Sequence, residues 1–270
     1  MLRLDAYKLK WIAIIGMALH HTVYPWQDIM PLWMMIPLYA VGGLTFPIMG
    51  YFVVEGYKYT SNLKGYILRL FVFGLISIPF YMLVMGLFRF NIMFVIIVSL
   101  LVLLMYDKIK TRAVFWVIFV LLWIPMFMFF DWLFFGPIVV LLYYTIKNEK
   151  ARRLAPSFVA GALWLSLSLL SLWGLAQLRQ LTELGGDIAI AASAQMDMLY
   201  NVFGNTNIII SSVFFIFGCV AGGFLVKNYN GERGKQMKWL FYAFYPIHLA
   251  VIGVVALAFG LVDINTLGVF

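Results

Sequence analysis

The sequence predicts an all-α, polytopic transmembrane helix bundle of about nine helices, with the N-terminus cytoplasmic and the C-terminus external. Of the 270 residues, 64% are hydrophobic and only 11% are charged, against about 45–50% and about 25% in soluble domains. So few charges cannot cover a water-facing surface, and the excess apolar surface must therefore face lipid. The chain is long enough for about nine spans of roughly 20 residues joined by short loops.

Apolar runs separated by charges or turn residues set the approximate bounds of the predicted spans. These spans are residues 9–26, 34–56, 66–88, 92–106, 113–130, 132–146, 156–176, 206–226 and 239–260. Together they predict that residues 1–270 form a single integral-membrane domain.

Two regions depart from this simple pattern. The second span contains four helix-weakening residues, Pro37, Gly42, Gly43 and Pro47. We expect it to be bent or broken, which at membrane depth is tolerated only against protein or a water-filled cavity. The stretch 177–205 is too polar to span and long for a loop, so its middle, Ile188–Met198, is expected to form a short helix on the outer surface.

The basic residues alternate along the chain as the positive-inside rule requires. With the N-terminus inside, every Lys and Arg except Arg89 and Arg179 falls in a cytoplasmic segment. This distribution explains the net charge of +8 without a nucleic-acid partner. It predicts a multi-pass protein of the inner (cytoplasmic) membrane, embedded in the lipid bilayer.

Ionisable residues inside a membrane are costly and are candidates for function. Lys10 and His21 are eleven positions apart, and eleven steps of about 100° bring a helix back to within about 20° of its starting direction. They therefore share one face of the first helix, with His21 about 16 Å above Lys10. His20 is rotated by about 100° from His21, so we expect it to face a neighbouring helix or lipid, in a different environment.

A second histidine reaches the same depth from the last helix. His248 follows Lys238 by ten residues, a rise of about 15 Å, and Pro246 loosens the helix just before it. We expect the side chains of His21 and His248 to lie within roughly 10 Å of each other and to line one polar cavity open to the cytoplasm. Neither has the Cys or His neighbours of a zinc site, so no metal is expected.

Glu55 and Arg69 form another candidate pair, near the inner ends of the second and third spans. They could make a buried ion pair, or Arg69 could present its forked donors to an anionic ligand. On the outer side, Asn91, Asp131 and Arg89 are expected to line a vestibule. Each candidate also has a structural interpretation, such as Lys10 extending to lipid headgroups.

The chain resembles the TraX family of membrane proteins, whose named member is the acetylase of the F-pilin N-terminus. The resemblance covers nearly the whole length, and the final run and the region around Glu55-Gly56 are its most specific parts. It is carried by Leu9-Lys10-Trp11 with His21, Phe46-Pro47-Ile48, Val54-Glu55-Gly56-Tyr57, Thr60, Asn62, Tyr66 to Leu70, Ile76 to Phe80, Asn91 to Phe94, Asp131, Phe135-Gly136 and Phe244-Tyr245-Pro246-Ile247-His248-Leu249. One departure is that the family pattern has an Asp before the first histidine, where this chain has His20.

A broader similarity links the first helix to membrane acyltransferases that O-acetylate surface sugars. Those enzymes carry a basic residue, ten intervening residues and a histidine, and the spacing of Lys10 and His21 is similar. The helical-face argument gives this spacing a physical reason, because the cation then lies at the cytoplasmic mouth and the histidine lies deep on the same face.

These resemblances imply an acyltransferase, most simply an acetyltransferase, with acetyl-CoA or another acyl-CoA as co-substrate and no permanently bound cofactor. His21 would be the general base or the transient acyl carrier, and His248 would orient or protonate. Lys10 and Arg69 would bind the donor. Glu55, Asn91, Tyr245 and Asp131 would bind the acceptor or be structural.

The acceptor and two rival functions stay open at this stage. The acceptor could be the N-terminus of a pilin-like protein, a glycan or a small molecule at or beyond the outer face. One rival is a transporter or flippase with a midplane site, although the sequence has no evident internal repeat. The other is a non-enzymatic assembly protein for a pilus or surface polymer, in which the histidines only pack.

Overall fold

The computed structural model describes residues 4–86, 88–132, 135–203 and 205–262. Their regular secondary structure is helical, apart from two isolated β-bridges, Leu4 with Tyr229 and Phe90 with Phe130, and the predicted all-helical bundle is confirmed. The helices are α1 Ala6–His21, α2 Leu32–Gly42, α3 Thr45–Tyr59, α4 Leu63–Met85, α5 Ile92–Lys108, α6 Arg112–Leu121, α7 Trp123–Phe129, α8 Phe135–Thr145, α9 Glu149–Thr182, α10 Gly186–Phe203, α11 Thr206–Ser212, α12 Phe215–Lys227 and α13 Lys238–Ala258.

Six helical segments in the described ranges are long and apolar enough to cross a membrane. They are Leu32–Tyr59, Leu63–Met85, Arg112–Phe129, Glu149–Thr182, Thr206–Lys227 and Lys238–Ala258. The other three predicted spans fall on α1, α5 and α8, which have 16, 17 and 11 residues. The structure therefore supports a multi-pass bundle, and the count of nine crossings stays a prediction.

The second predicted span is broken, as its prolines and glycines indicate. Helix α2 ends at Gly42 and α3 begins at Thr45. Gly43 at the break lies directly against Gly218 of α12, where a Cβ on either residue would overlap backbone atoms of the other helix. Only glycine allows the two backbones to approach this closely, so the break packs against protein as expected.

Helix α9 is longer than its predicted span. Its 34 residues correspond to about 51 Å, well beyond a hydrocarbon layer of about 30 Å. It runs to Thr182, so residues 177–182 continue the helix. The expected helix within 177–205 is present as α10, Gly186–Phe203, which exceeds Ile188–Met198 at both ends and packs along α9.

Side-chain and backbone contacts gather the loops at two ends of the bundle. We call the basic end the one formed by residues 4–10, the C-terminal ends of α3, α5 and α8, the start of α9 and the loop 228–237. There the Leu4 amide bonds the Asn228 carbonyl, and the Tyr57 hydroxyl donates to Asp107. At the opposite end, Asn205 binds Gln27.

Which membrane face each end occupies stays a prediction. The positive-inside rule places the basic end in the cytoplasm. Phe270, whose external position is predicted, lies outside the described residues.

Candidate active site

A large cavity runs through the bundle between α1, α3, α4, α9 and α13. Its volume is about 1170 Å³. Lys58 and Lys235 line it at the basic end, and Gln27 and Arg89 line it at the opposite end. One continuous space thus reaches from the basic end to the opposite end and passes the first-helix histidines.

His21 lines this cavity between its two ends and is in direct contact with His248. His21 Nδ1 lies 2.8 Å from His248 Nε2, and the two rings are nearly parallel, with centroids 5.1 Å apart. Both side chains are buried, with 7% and 6% of their surface exposed. The expectation that the two histidines meet is therefore confirmed, at hydrogen-bond distance.

The hydrogen bonds of His248 fix the tautomer of both rings in the neutral pair. His248 Nδ1 lies 2.9 Å from the Phe244 carbonyl, which can only accept, so Nδ1 carries the hydrogen. His248 Nε2 must then accept the bond from His21, and His21 Nδ1–H donates it. The remaining nitrogen, His21 Nε2, keeps its lone pair and is the free basic position of the pair.

Only one of the two rings lines the large cavity, which corrects the expectation that both do. His21 is part of its wall. His248 sits behind His21 and borders a separate apolar pocket of about 380 Å³ between α1 and α13, beside Leu19 and Ile247. Its ring stacks on Phe244, because Nδ1 reaches back to the carbonyl of that residue one turn earlier. His248 is thus placed to support His21 without facing the cavity.

The expectation for His20 is wrong in part. Its ring does pack against neighbouring helices, edge-on to Tyr39 with centroids 4.5 Å apart and against Phe215. However, it lines the same cavity as His21, with ring centroids 5.8 Å apart. A rotation of 100° around α1 turns the side chain toward α2, and the cavity is wide enough to include that direction. His20 Nε2 is buried without a hydrogen-bond partner.

The two residues expected to bind the donor both line the cavity. Lys10 Nζ lies 5.0 Å from the ring centroid of Phe52 and 5.6 Å from that of Phe241, within cation–π range. Its side chain points between these rings, so the headgroup interpretation does not fit. The Arg69 guanidinium lies 5.8 Å from the Tyr242 ring, and its Nε is buried without a partner.

The alternative ion pair between Glu55 and Arg69 does not form. Within the described residues, ion pairs of 4.0 Å or less join Asp5 to Lys8 and Glu149 to Arg152 and Arg153. Glu55 lines the cavity near the basic end, where its charge acts on Tyr229. Arg69 is therefore a cation at the cavity wall with an unsatisfied donor.

Several further cations of the cavity wall carry no sequence signal that distinguishes them from the other basic residues. They are Lys58, Arg152, Arg153, Arg233, Lys235 and Lys238. The positive-inside rule had placed all of them at the cytoplasmic face, together with basic residues that do not line the cavity. A charge count along the chain carries no information on which loops fold over the mouth.

The opposite end combines aromatic residues with one charged pair. Arg89 and Asp131 line the cavity there, as expected, and Arg89 is within electrostatic reach of the Asp131 carboxylate. Trp132, with φ at 57°, stacks on Phe46 with centroids 4.1 Å apart. Tyr245 also lines the cavity and contacts His248 edge-on.

Asn91 is placed as a structural residue. It is fully buried, donates from Nδ2 to the Gly74 carbonyl and accepts at Oδ1 from the Met93 amide. These bonds cap the start of α5 and tie it to α4. The structure therefore favours a structural role for Asn91 over acceptor binding.

No three His, Cys, Asp or Glu side chains of the described ranges group as metal ligands.

Known proteins include relatives that match nearly the whole length of this chain. Residues 6–256 match the family described as TraX protein. The chain belongs to the TraX family. It is also similar to the probable fimbrial assembly protein FimC, serogroup H1, of Dichelobacter nodosus, at 27% identity over 264 residues that cover 92% of this chain and 94% of that protein. No solved structure gives a significant match.

Proposed function

We propose that this TraX-family protein is a membrane-embedded acyltransferase. It takes an acyl group, in the simplest case acetyl, from a coenzyme A thioester at the basic end and transfers it to an amine or hydroxyl supplied from the opposite end. The observation that carries the proposal is the hydrogen-bonded chain from His21 to His248 to the Phe244 carbonyl, with His21 in the cavity wall.

The tautomer of the pair suits His21 for general base catalysis. As the acceptor nitrogen or oxygen attacks the thioester carbonyl carbon, its proton passes to His21 Nε2. The imidazolium that forms keeps donating from Nδ1 to His248 Nε2, and this charge-assisted bond stabilises it. Collapse of the tetrahedral intermediate breaks the carbon–sulfur bond, and the proton on Nε2 neutralises the departing thiolate. The products are free coenzyme A and the acylated acceptor.

The same geometry fits a covalent route. His21 Nε2 would then attack the thioester itself, release coenzyme A and carry the acyl group until the acceptor arrives. Coenzyme A release without acceptor, measured in a single turnover, separates the two routes. A burst of one coenzyme A per protein requires the covalent intermediate.

The donor would enter from the basic end. Lys10 and Arg69 line that half of the cavity without carboxylate partners, and Arg suits bidentate phosphate binding. By the positive-inside rule this end is cytoplasmic, in the inner membrane, where acyl-CoA is available. About 16 Å of helix separates Lys10 from His21, a distance that the extended pantetheine arm would have to cover.

The acceptor would approach from the opposite end, past Asp131 and Tyr245. The FimC relative is named for fimbrial assembly, so we propose a pilus-related or surface-related acceptor. The N-terminus of a pilin-like protein, a glycan and a secreted small molecule all present the required amine or hydroxyl.

The test is coenzyme A release by the purified protein in nanodiscs. Acetyl-CoA is added with a peptide bearing a free N-terminal amine, with an oligosaccharide, or with neither, and free thiol and acceptor mass are followed. We expect acceptor-dependent thiol release together with acetylated acceptor. Binding of acetyl-CoA without any thiol release, in the presence of either acceptor, would contradict the proposal.

A transporter or flippase is the second candidate, because the cavity reaches both ends of the bundle. It predicts that labelled substrate crosses a sealed proteoliposome without consumption of acyl-CoA. Flux without thiol release would favour this candidate. A protein that neither transports nor releases thiol would fit a non-enzymatic assembly role.

A further inference from the structure

The loop 228–237 lies over the basic end of the cavity, and its cations have no role in the proposed transfer reaction. It connects α12 to α13 and is tied to the N-terminus by three backbone hydrogen bonds, which join Leu4 to Asn228 and Asn230 and join Ala6 to Glu232. Because Ala6 begins α1, the loop is fixed directly to the helix that carries Lys10 and His21.

Glycines give this loop its shape. Gly231 and Gly234 have φ values of 86° and 63°, a region that side chains other than glycine rarely adopt. A Cβ at Gly234 would meet the Asp5 carboxylate, the group that caps α1 through the Lys8 amide. Two turns are thereby held against the first helix, with the residues between and after them at the cavity mouth.

The cations of the loop face the cavity and its acid does not. Arg233 and Lys235, with Lys238 just after the loop, line the cavity. Glu232 instead accepts a hydrogen bond from Asn230 Nδ2. None of the three cations has a carboxylate within 4.0 Å among the described residues.

Nearby charges show that the loop and the cavity wall share one electrostatic environment. Tyr229 packs edge-on against Tyr51 and Phe52. Burial raises the pKa of Tyr229 and Glu55 adds to that effect, while Arg153 and Arg233 lower it. Arg233 and Lys10 also repel each other. Arg153 is paired with Glu149, but Lys10 and Arg233 have no carboxylate within 4.0 Å among the described residues. Such unpaired neighbouring cations favour a ligand that carries several negative charges.

The positive-inside rule alone does not account for this arrangement. Lys110 and Lys147 satisfy that rule at the same end of the bundle and are exposed, as Arg233 and Lys235 are, but they do not line the cavity. The loop cations satisfy the rule and also lie at the mouth.

We propose that the loop 228–237 is a subsite for the 3′-phosphate of the coenzyme A nucleotide, bound by Arg233 and Lys235. The inference rests on the proposed donor and deepens it, because it separates recognition of the nucleotide from recognition of the thioester. A phosphate monoester carries about −1.5 to −2 charges at pH 7, and the forked donors of Arg233 match its oxygens. Lys10 and Arg69, farther along the wall, are left for the diphosphate and the pantetheine arm.

The experiment compares two ligands that differ only in this phosphate. Binding of acetyl-CoA and of 3′-dephospho-acetyl-CoA is titrated with the full chain in nanodiscs of neutral phosphatidylcholine. The wild-type protein should prefer acetyl-CoA by about tenfold or more, as a charged hydrogen bond contributes. The Arg233→Gln/Lys235→Gln variant should lose most of that preference by weakening acetyl-CoA binding, with dephospho-acetyl-CoA binding almost unchanged.

The matched control is Lys110→Gln/Lys147→Gln, which removes the same charge from the same end and should keep the wild-type preference. Thermal melting of both variants checks their folding, and the single variants Arg233→Gln and Lys235→Gln should each lose part of the preference. Melting in nanodiscs with anionic phosphatidylglycerol tests whether the loop binds a lipid headgroup instead. A lipid site predicts that the loop variant melts at a lower temperature in anionic lipid only and keeps the wild-type ligand preference.

Equal wild-type binding of the two ligands would overturn this inference and leave the proposed donor standing. An unchanged preference in the loop variant would do the same. If acetyl-CoA does not bind the wild-type protein at all, the proposed function fails with it.

Discussion

The two ends of the cavity differ in the chemistry of the side chains that line them. At the basic end the wall carries cations such as Lys10, Arg69 and Arg233, most of them without carboxylate partners. At the opposite end it carries aromatic rings with Arg89 and Asp131. Unpaired cations favour an anionic ligand of high charge, whereas aromatic faces with one cation and one carboxylate favour a neutral or amphipathic group. The cavity is therefore polarised, and under the proposed function His21 lies between two dissimilar substrates.

Replacing His21 should give the largest effect, because both halves of the reaction meet at this residue. We expect His21→Gln to reduce acyl transfer by about 10²–10⁴, the range for loss of a general base, while acetyl-CoA still binds and the protein still melts normally. His20→Gln is the matched control on the adjacent residue and should be much milder. An equal loss of activity in the two variants would contradict the assignment of His21 Nε2 as the general base.

Replacing His248 should give the next largest loss, because it acts through His21. Removing a hydrogen bond to a charged group costs about 1.5–3 kcal/mol, so His248→Phe should slow transfer by roughly 10–150-fold with little change in acetyl-CoA affinity. His248→Gln keeps a carbonyl that can accept from His21 Nδ1 and should recover part of the rate. Equal rates for the Phe and Gln variants would show that His248 only fills space.

Replacing Arg69 tests the basic end alone. Because Arg69 forms no ion pair with Glu55, we expect Arg69→Ala to weaken acyl-CoA binding by about 1.5–3 kcal/mol and to leave the melting temperature almost unchanged. Paired donor titrations and thermal melts measure both. Lost stability with unchanged donor affinity would assign Arg69 a structural role.

Replacing Asp131 tests the opposite end and should give the smallest effect. Asp131 lines the end of the cavity opposite to Lys10 and Arg69, so Asp131→Asn should leave acetyl-CoA affinity unchanged. It should raise the KM for the acceptor by a few-fold, as expected for one hydrogen bond of about 1 kcal/mol. Kinetics with varied acceptor and saturating donor measure this. A change in donor affinity alone would remove the distinction between the ends.

The depth of the histidines could be predicted from sequence because helical rise is fixed. The relative depths of Lys10, His21 and His248 follow from the rise and rotation of an α-helix and from one cation at the membrane boundary. Sequence could not predict that His248 stands behind His21, since rotation about one axis does not give the position of the neighbouring helix. His20 was misplaced for the same reason.

The interruptions of the helices were predictable only where the residues carry a signal. Gly43 predicted the break after α2. The break at Leu122, between α6 and α7, has a comparable signal in Pro125, whose ring conflicts with the carbonyl four residues earlier. Between α11 and α12, at Val213 and Phe214, neither proline nor glycine is present, so tertiary packing decides that break.

The most direct test of the polarised cavity is a sided transfer assay. Proteoliposomes with the protein in known orientation receive acetyl-CoA on one face and an impermeant acceptor on the other. Free thiol and acetylated acceptor are then measured. The account predicts transfer when acetyl-CoA is at the basic end and acceptor at the opposite end, and none when the two are exchanged. Transfer that requires both substrates on one face would contradict it.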